Sequence, residues 1–161
     1  MTDADQAEED RTTGIGLARY AYDYIHAAIV VERHDEAPGA ISPVPAYFLA
    51  MHGIELTLKA FLRHKGISVK DLRSKKFSHD LHACYRKAKE LGLNEFFKEH
   101  PNDASALQML VSLNDHQGLR YIKTGVKHFP LWSLVEPLAV RMHQAVAGVV
   151  GFKSFSKTYT T

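Results

Sequence analysis

Between Pro45 and Lys65 the chain reads PAYFLAMHGIELTLKAFLRHK, an apolar run crossed by one narrow polar stripe. At about 100° per residue, His52, Glu55, Lys59 and Arg63 fall within about a quarter of a helical circumference. Phe48, Met51, Ile54, Leu58, Phe61 and Leu62 cover most of the remainder. A helix this apolar is stable only where neighbours enclose it, so the segment predicts a central helix whose stripe faces a cleft.

The other segments predict helices around it. Ala18, Tyr22, Ile25 and Ile29 share one face of a helix from about Ile15 to Arg33, and HDEAPGAISPVP reads as the loop before Pro43 and Pro45 open the central helix. Gly66 ends that helix. Ser78 is the expected N-cap of a third helix carrying Leu81, Cys84, Tyr85, Ala88 and Leu91, stopped by Gly92 at C′. A fourth runs from about Asp103 to Gln117, with Asn114 extending its apolar stripe and Gly118 closing it. Ser133 and Glu136 have capping-box spacing for a fifth, whose face is Val135, Leu138, Met142, Ala145 and Val149. No strand pattern has a hairpin partner. The expected fold is all-α, an up-and-down bundle of about five helices.

With 161 residues, 45% of them apolar, one domain over residues 14–150 can bury a core without disulfides or metal. Residues 1–13, five acids and one base, read as a flexible acidic leader, and GFKSFSKTYTT at 151–161 reads as a flexible tail. The leader lacks the basic start and apolar stretch of a secretion signal, and no run approaches the roughly 18 apolar residues of a membrane span. A cytoplasmic location and no membrane partner are the expectation. The single cysteine, Cys84, lies on an apolar helix face, where a thiol behaves as a small hydrophobe.

The formal charge of +2 hides an uneven distribution. Residues 1–13 carry a net −4, leaving +6 on the remainder, and ten Lys or Arg between Lys59 and Lys89 face only Asp71 and Asp80. Such a cluster attracts polyanions, which makes a nucleotide or RNA phosphate a physically motivated partner. It lacks the interleaved aromatics of a single-strand stacking platform, and a solvated surface is the competing reading.

Several pieces occur in a defined order: Glu55 and Lys59 four residues apart, His79-Asp80-Leu81 at a helix start, Leu113-Asn114, then Arg120-Tyr121. The set, spanning residues 15–148, resembles the HEPN domain family, helical bundles of prokaryotic defence and toxin–antitoxin systems. The resemblance implies a HEPN-like bundle, a homodimer, and a protein partner such as an antitoxin. The chemistry of the residues stands beside it. Lys59 offers a point charge for a phosphate, Glu55 orients it, Arg120 supplies a planar fork, and Tyr121 could stack on a base. The candidate ligand-binding set is therefore Glu55, Lys59, His79, Asp80, Asn114, Arg120 and Tyr121. The same groups also suit a buried polar network tying helices together.

Ribonucleases of that family pair an Arg with a His across four to six intervening residues. Here Arg120 and His128 have seven between them, with Gly125 and Pro130 in the segment, while Arg19 with His26 and Arg73 with His79 match the spacing as short motifs do by chance. Ten scattered histidines give no standard zinc spacing, and no phosphate-cradling glycine motif or nucleophile elbow is present, so no metal or cofactor is expected. The resulting expectation is nucleotide or RNA phosphate binding in a polar cleft without turnover. One alternative is a metal-independent RNase using Arg120 with His128 or His79. The other is a dimeric interaction module burying Tyr20, Tyr24, Val31, Val135, Met142 and Val149 between subunits.

Overall fold

The computed structural model describes residues 1–34, 44–114 and 124–160. Among them the structure is all-α, with seven helices and no strand: α1 (Asp3–Arg11), α2 (Gly14–His34), α3 (Val44–His64), α4 (Val69–Arg73), α5 (Leu81–Glu90), α6 (Asp103–Leu113) and α7 (Trp132–Val150). A single 3-10 turn at Leu93–Glu95 follows α5.

The segment PAYFLAMHGIELTLKAFLRHK is central, as its composition requires. Twelve residues of α3 are buried, including Met51, Ile54, Leu58, Phe61 and Leu62, and α3 packs on α2, α7 and α5. The direction of packing follows from close approaches. Gly53 faces Ile25 and Ala21, while Gly14 faces Ala60 and His64, so α2 and α3 run antiparallel. The hydroxyl of Tyr47 at the start of α3 donates to the Pro130 carbonyl just before α7 (2.5 Å), and Val150 at the end of α7 reaches Gly14, so α7 runs with α3 and against α2.

Gly53 is what lets α2 and α3 meet so closely. A Cβ there would lie 2.5 Å from Ile25 Cγ1, closer than real side chains come, and 3.3 Å from the Ala21 carbonyl oxygen, a tight contact. The glycine lowers helix propensity but permits near-contact of the two backbones.

Several boundaries differ from the sequence reading. The acidic leader forms α1, opened by a capping box in which the Thr2 hydroxyl accepts from the Asp5 amide and the Asp5 carboxylate accepts from the Thr2 amide. Helix α5 is capped by Asp80, whose carboxylate accepts from the Ala83 amide at 2.9 Å, and Ser78 belongs instead to the preceding turn, its amide on the Ser74 carbonyl. Gly92 takes the left-handed conformation just after α5, as its position demanded. Helix α7 starts one residue before Ser133, so the expected capping box does not form. Glu136 instead accepts from the Trp132 indole (2.9 Å), the Lys157 ammonium (2.7 Å) and the Tyr159 hydroxyl (2.5 Å). Gln117 and Gly118, the expected end of α6, lie outside the described residues.

Residues 151–160 are not a loose tail. Phe152, Phe155 and Tyr159 pack on the core, and the Gln144 amide donates to the carbonyls of Phe155 and Lys157. The proposed dimer face also needs correction. Val135 and Met142 are fully buried within the monomer, because that face of α7 packs on α2 and α3.

Candidate functional site

Helix α3 carries His52, Glu55 and Lys59 on one side, and the fold encloses Glu55, 3% exposed, among three nitrogen bases. The Lys59 ammonium donates to Glu55 Oε1 at 2.6 Å. His52 Nδ1 lies 3.8 Å from Oε2, and His79 Nδ1 lies 3.8 Å from Oε1. Burial by itself would raise the Glu55 carboxyl, but the pull of His52 and of the Lys59 charge outweighs it and holds the group down at about 2. His52 is fixed in turn by Tyr24, whose ring meets it edge-on at 4.5 Å, and by the parallel ring of Phe48.

Arg63, the fourth member of the stripe, points elsewhere. It donates to the carbonyls of Thr12 (2.8 Å), Glu9 (2.9 Å) and Ile67 (3.3 Å), and pairs with the Glu9 carboxylate at 3.0 Å. It therefore joins α1 to the end of α3.

His79 reaches Glu55 from a turn, not from a helix. The chain turns at Ser74, with the amides of Phe77 and Ser78 both on the Ser74 carbonyl, and His79 adopts a left-handed φ of 59°. A non-glycine residue in that region is uncommon, though histidine tolerates it better than most. The reversal brings Asp80 into capping position and His79 over α3. Below this turn Cys84 Sγ donates to the Phe77 carbonyl at 3.5 Å, and burial pushes its thiol up to about 12. It is thus a packed hydrophobe, not a nucleophile.

Beside Asp80 opens a groove of about 270 Å³ whose lining includes Lys75, Lys76, Phe77, Arg86, Lys87 and Glu90. Its two acids are already engaged. Asp80 caps α5, and Glu90 pairs with Lys87 at 3.0 Å. Elsewhere the basic cluster is largely paired: Lys59 with Glu55, Arg73 with Glu8, Lys89 with Glu99. Lys65 lies over the rings of Phe61 and Phe96.

Of the residues singled out in sequence, Glu55, Lys59 and His79 converge and Asp80 borders them. Asn114 ends α6 as its C-cap, with its amide on the carbonyls of Leu110 and Val111. Arg120 and Tyr121 lie outside the described residues. His128 is exposed on the non-helical segment before α7.

Sequence reasoning missed His52 as a participant, although its place on the stripe signalled it. It also missed two buried polar centres. In one, Asp103 accepts two bonds from Arg141 Nη1 (3.0 and 3.1 Å), a further contact from Nη2, and the His100 amide at 2.7 Å. In the other, fully buried His143 bridges the Ala18 carbonyl (2.7 Å) and the Ser154 hydroxyl (2.5 Å) amid Tyr22, Phe152 and Phe155. Their partners lie 38, 125 and 11 residues away, which no local pattern reveals.

No group of three or more metal-ligating side chains converges among the described residues, and none of their helices is long and apolar enough to cross a membrane. No family model, curated protein or solved structure matches the chain.

Proposed function

We propose that this chain is a HEPN-like helical domain that binds a nucleotide or RNA phosphate without turnover, at the basic groove beside His79 and Asp80. The observation that carries the reading is the imbalance in that groove. Four bases line it, while Asp80 and Glu90 are committed to a helix cap and to Lys87. Lys75, Lys76 and Arg86 line the groove without an ion-pair partner among the described residues, Lys76 lying over the Phe77 ring at 5.2 Å. Arg86 offers a fork for two phosphate oxygens and the lysines offer mobile point charges. Lys59 and His79, both on Glu55, serve to hold the adjoining cluster together.

The test is fluorescence polarisation of a labelled short single-stranded RNA over a salt series, with a gel for cleavage run alongside. Saturable binding whose log affinity falls with log salt at a slope near −2, as expected for about three phosphates, supports the reading. Lys75→Ala with Arg86→Ala should flatten that slope by about 1.4. Binding indifferent to both substitutions, or none at all, refutes the groove as a phosphate site. Cleavage products that vanish in His79→Ala would favour the RNase alternative.

A further inference from the structure

Helix α1 has no buried residue, yet it is docked. Its ties to the body are polar: Glu9 on the Arg63 guanidinium and the Val69 amide (2.6 Å), Glu8 on Arg73, and the carbonyls of Glu9 and Thr12 on Arg63. A cavity of about 610 Å³ remains in the seam, bordered by Asp5, Glu8 and Glu9 on one side and Lys70 and Arg73 on the other. The seam is therefore loosely packed and held by charge. The Glu8–Arg73 pair is exposed and the Glu9–Arg63 pair partly buried; an exposed pair is worth about 0–1 kcal/mol and weakens with salt, and a detached nine-residue helix is too short to persist alone in water.

We propose that Arg63, Lys70 and Arg73 form a second polyanion-binding face, and that α1 is a tethered acidic cover which an incoming chain of phosphates displaces. The carboxylates of Glu8 and Glu9 hold the places that phosphate oxygens would take, and residues 1–13, at net −4, repel polyanions while the cover is closed. Displacement would extend the positive surface from the groove beside Asp80 across α4. The inference rests on the reading of the chain as a phosphate binder, but concerns a different face.

Two measurements on the full chain test it, with inorganic polyphosphate as the probe. Hydrogen exchange of the α1 amides should accelerate at least tenfold at saturating polyphosphate while α2 and α3 stay unchanged. Glu8→Gln with Glu9→Gln should bind the probe about tenfold more tightly, and adding Arg73→Gln should reverse the gain. Unchanged α1 exchange with polyphosphate bound, equal affinity in the double variant, or no binding by either chain overturns the proposal. RNA binding lost in the Lys75→Ala, Arg86→Ala variant with α1 protection unaltered would sustain the groove and sink the cover. Release of α1 in a chain that ignores RNA would do the reverse.

Discussion

Lys59 Nζ lies 2.6 Å from Glu55 Oε1, one turn along a helix that is otherwise apolar, and the pair is almost wholly removed from water. Their mutual attraction must offset the desolvation of both. Lys59→Met should therefore cost about 3–5 kcal/mol, because it strands a buried carboxylate, whereas Lys59→Met with Glu55→Gln should recover most of the loss. Chemical denaturation of the wild type, the two single variants and the double variant measures this. Additive single effects would show that the two residues do not stabilise one another.

The same carboxylate sets an acid limit. Its folded value, about 2, lies below the ordinary 4.5, so the unfolded chain takes up the proton first. The stabilisation is fully present above about pH 4.5 and is lost as pH falls from there through about 2. Urea midpoints between pH 5 and 2.5 should decline more steeply in the wild type than in Glu55→Gln, and parallel declines would contradict the assignment.

His143 should act earlier on the same axis. Burial lowers its value below 6.5, overcoming the opposing effect of its bond to Ala18, so the unfolded imidazole binds a proton that the folded one refuses. Stability from the neutral ring is present above pH 6.5 and recedes as pH drops below it. His143→Gln should be less stable at pH 7 by about 1–3 kcal/mol, and its midpoint should vary less between pH 7 and 5. An unchanged pH slope would remove His143 from the account.

Gly53→Ala offers a sharper test of packing. In an exposed helix the change gains about 1 kcal/mol, but here the methyl meets Ile25 Cγ1 at 2.5 Å. A net loss of about 1–3 kcal/mol is expected, partly relieved by Ile25→Ala in the same chain. Thermal melting that rises with the alanine would mean that the helices have room to separate.

The bundle was legible wherever apolar periodicity was strong. The registers of α2, α3, α5 and α7 follow from Ile25, Ile54, Cys84 and Leu138, whose neighbours recur at helical spacing and are buried. Helix α1 was not, since no apolar stripe marks it, and α4, at five residues, is too short to show a period. The segment 151–160 hid for another reason. Phe152, Phe155 and Tyr159 dock from non-helical chain onto α7 and α2, and nothing nearby in sequence names their receiving surface. The site divides in the same way. Glu55 and Lys59 were readable because one turn joins them, His79 only through its resemblance to a family pattern, and the groove only once α5 had been placed beside the Ser74 turn.

The close seam at Gly53 also fixes one side of the polar cluster. His52 and Glu55 ride on a helix whose backbone is wedged against α2, so a shift there must carry two 21-residue helices together. His79 sits instead on a turn that buried Phe77 and the Cys84 thiol on the Phe77 carbonyl tie to the core, its φ already unusual for its side chain. The cluster thus joins a wedged helix to a turn of unusual backbone. The buried Glu55 carboxylate, carried on the wedged helix, is the fixed reference against which His79 is placed.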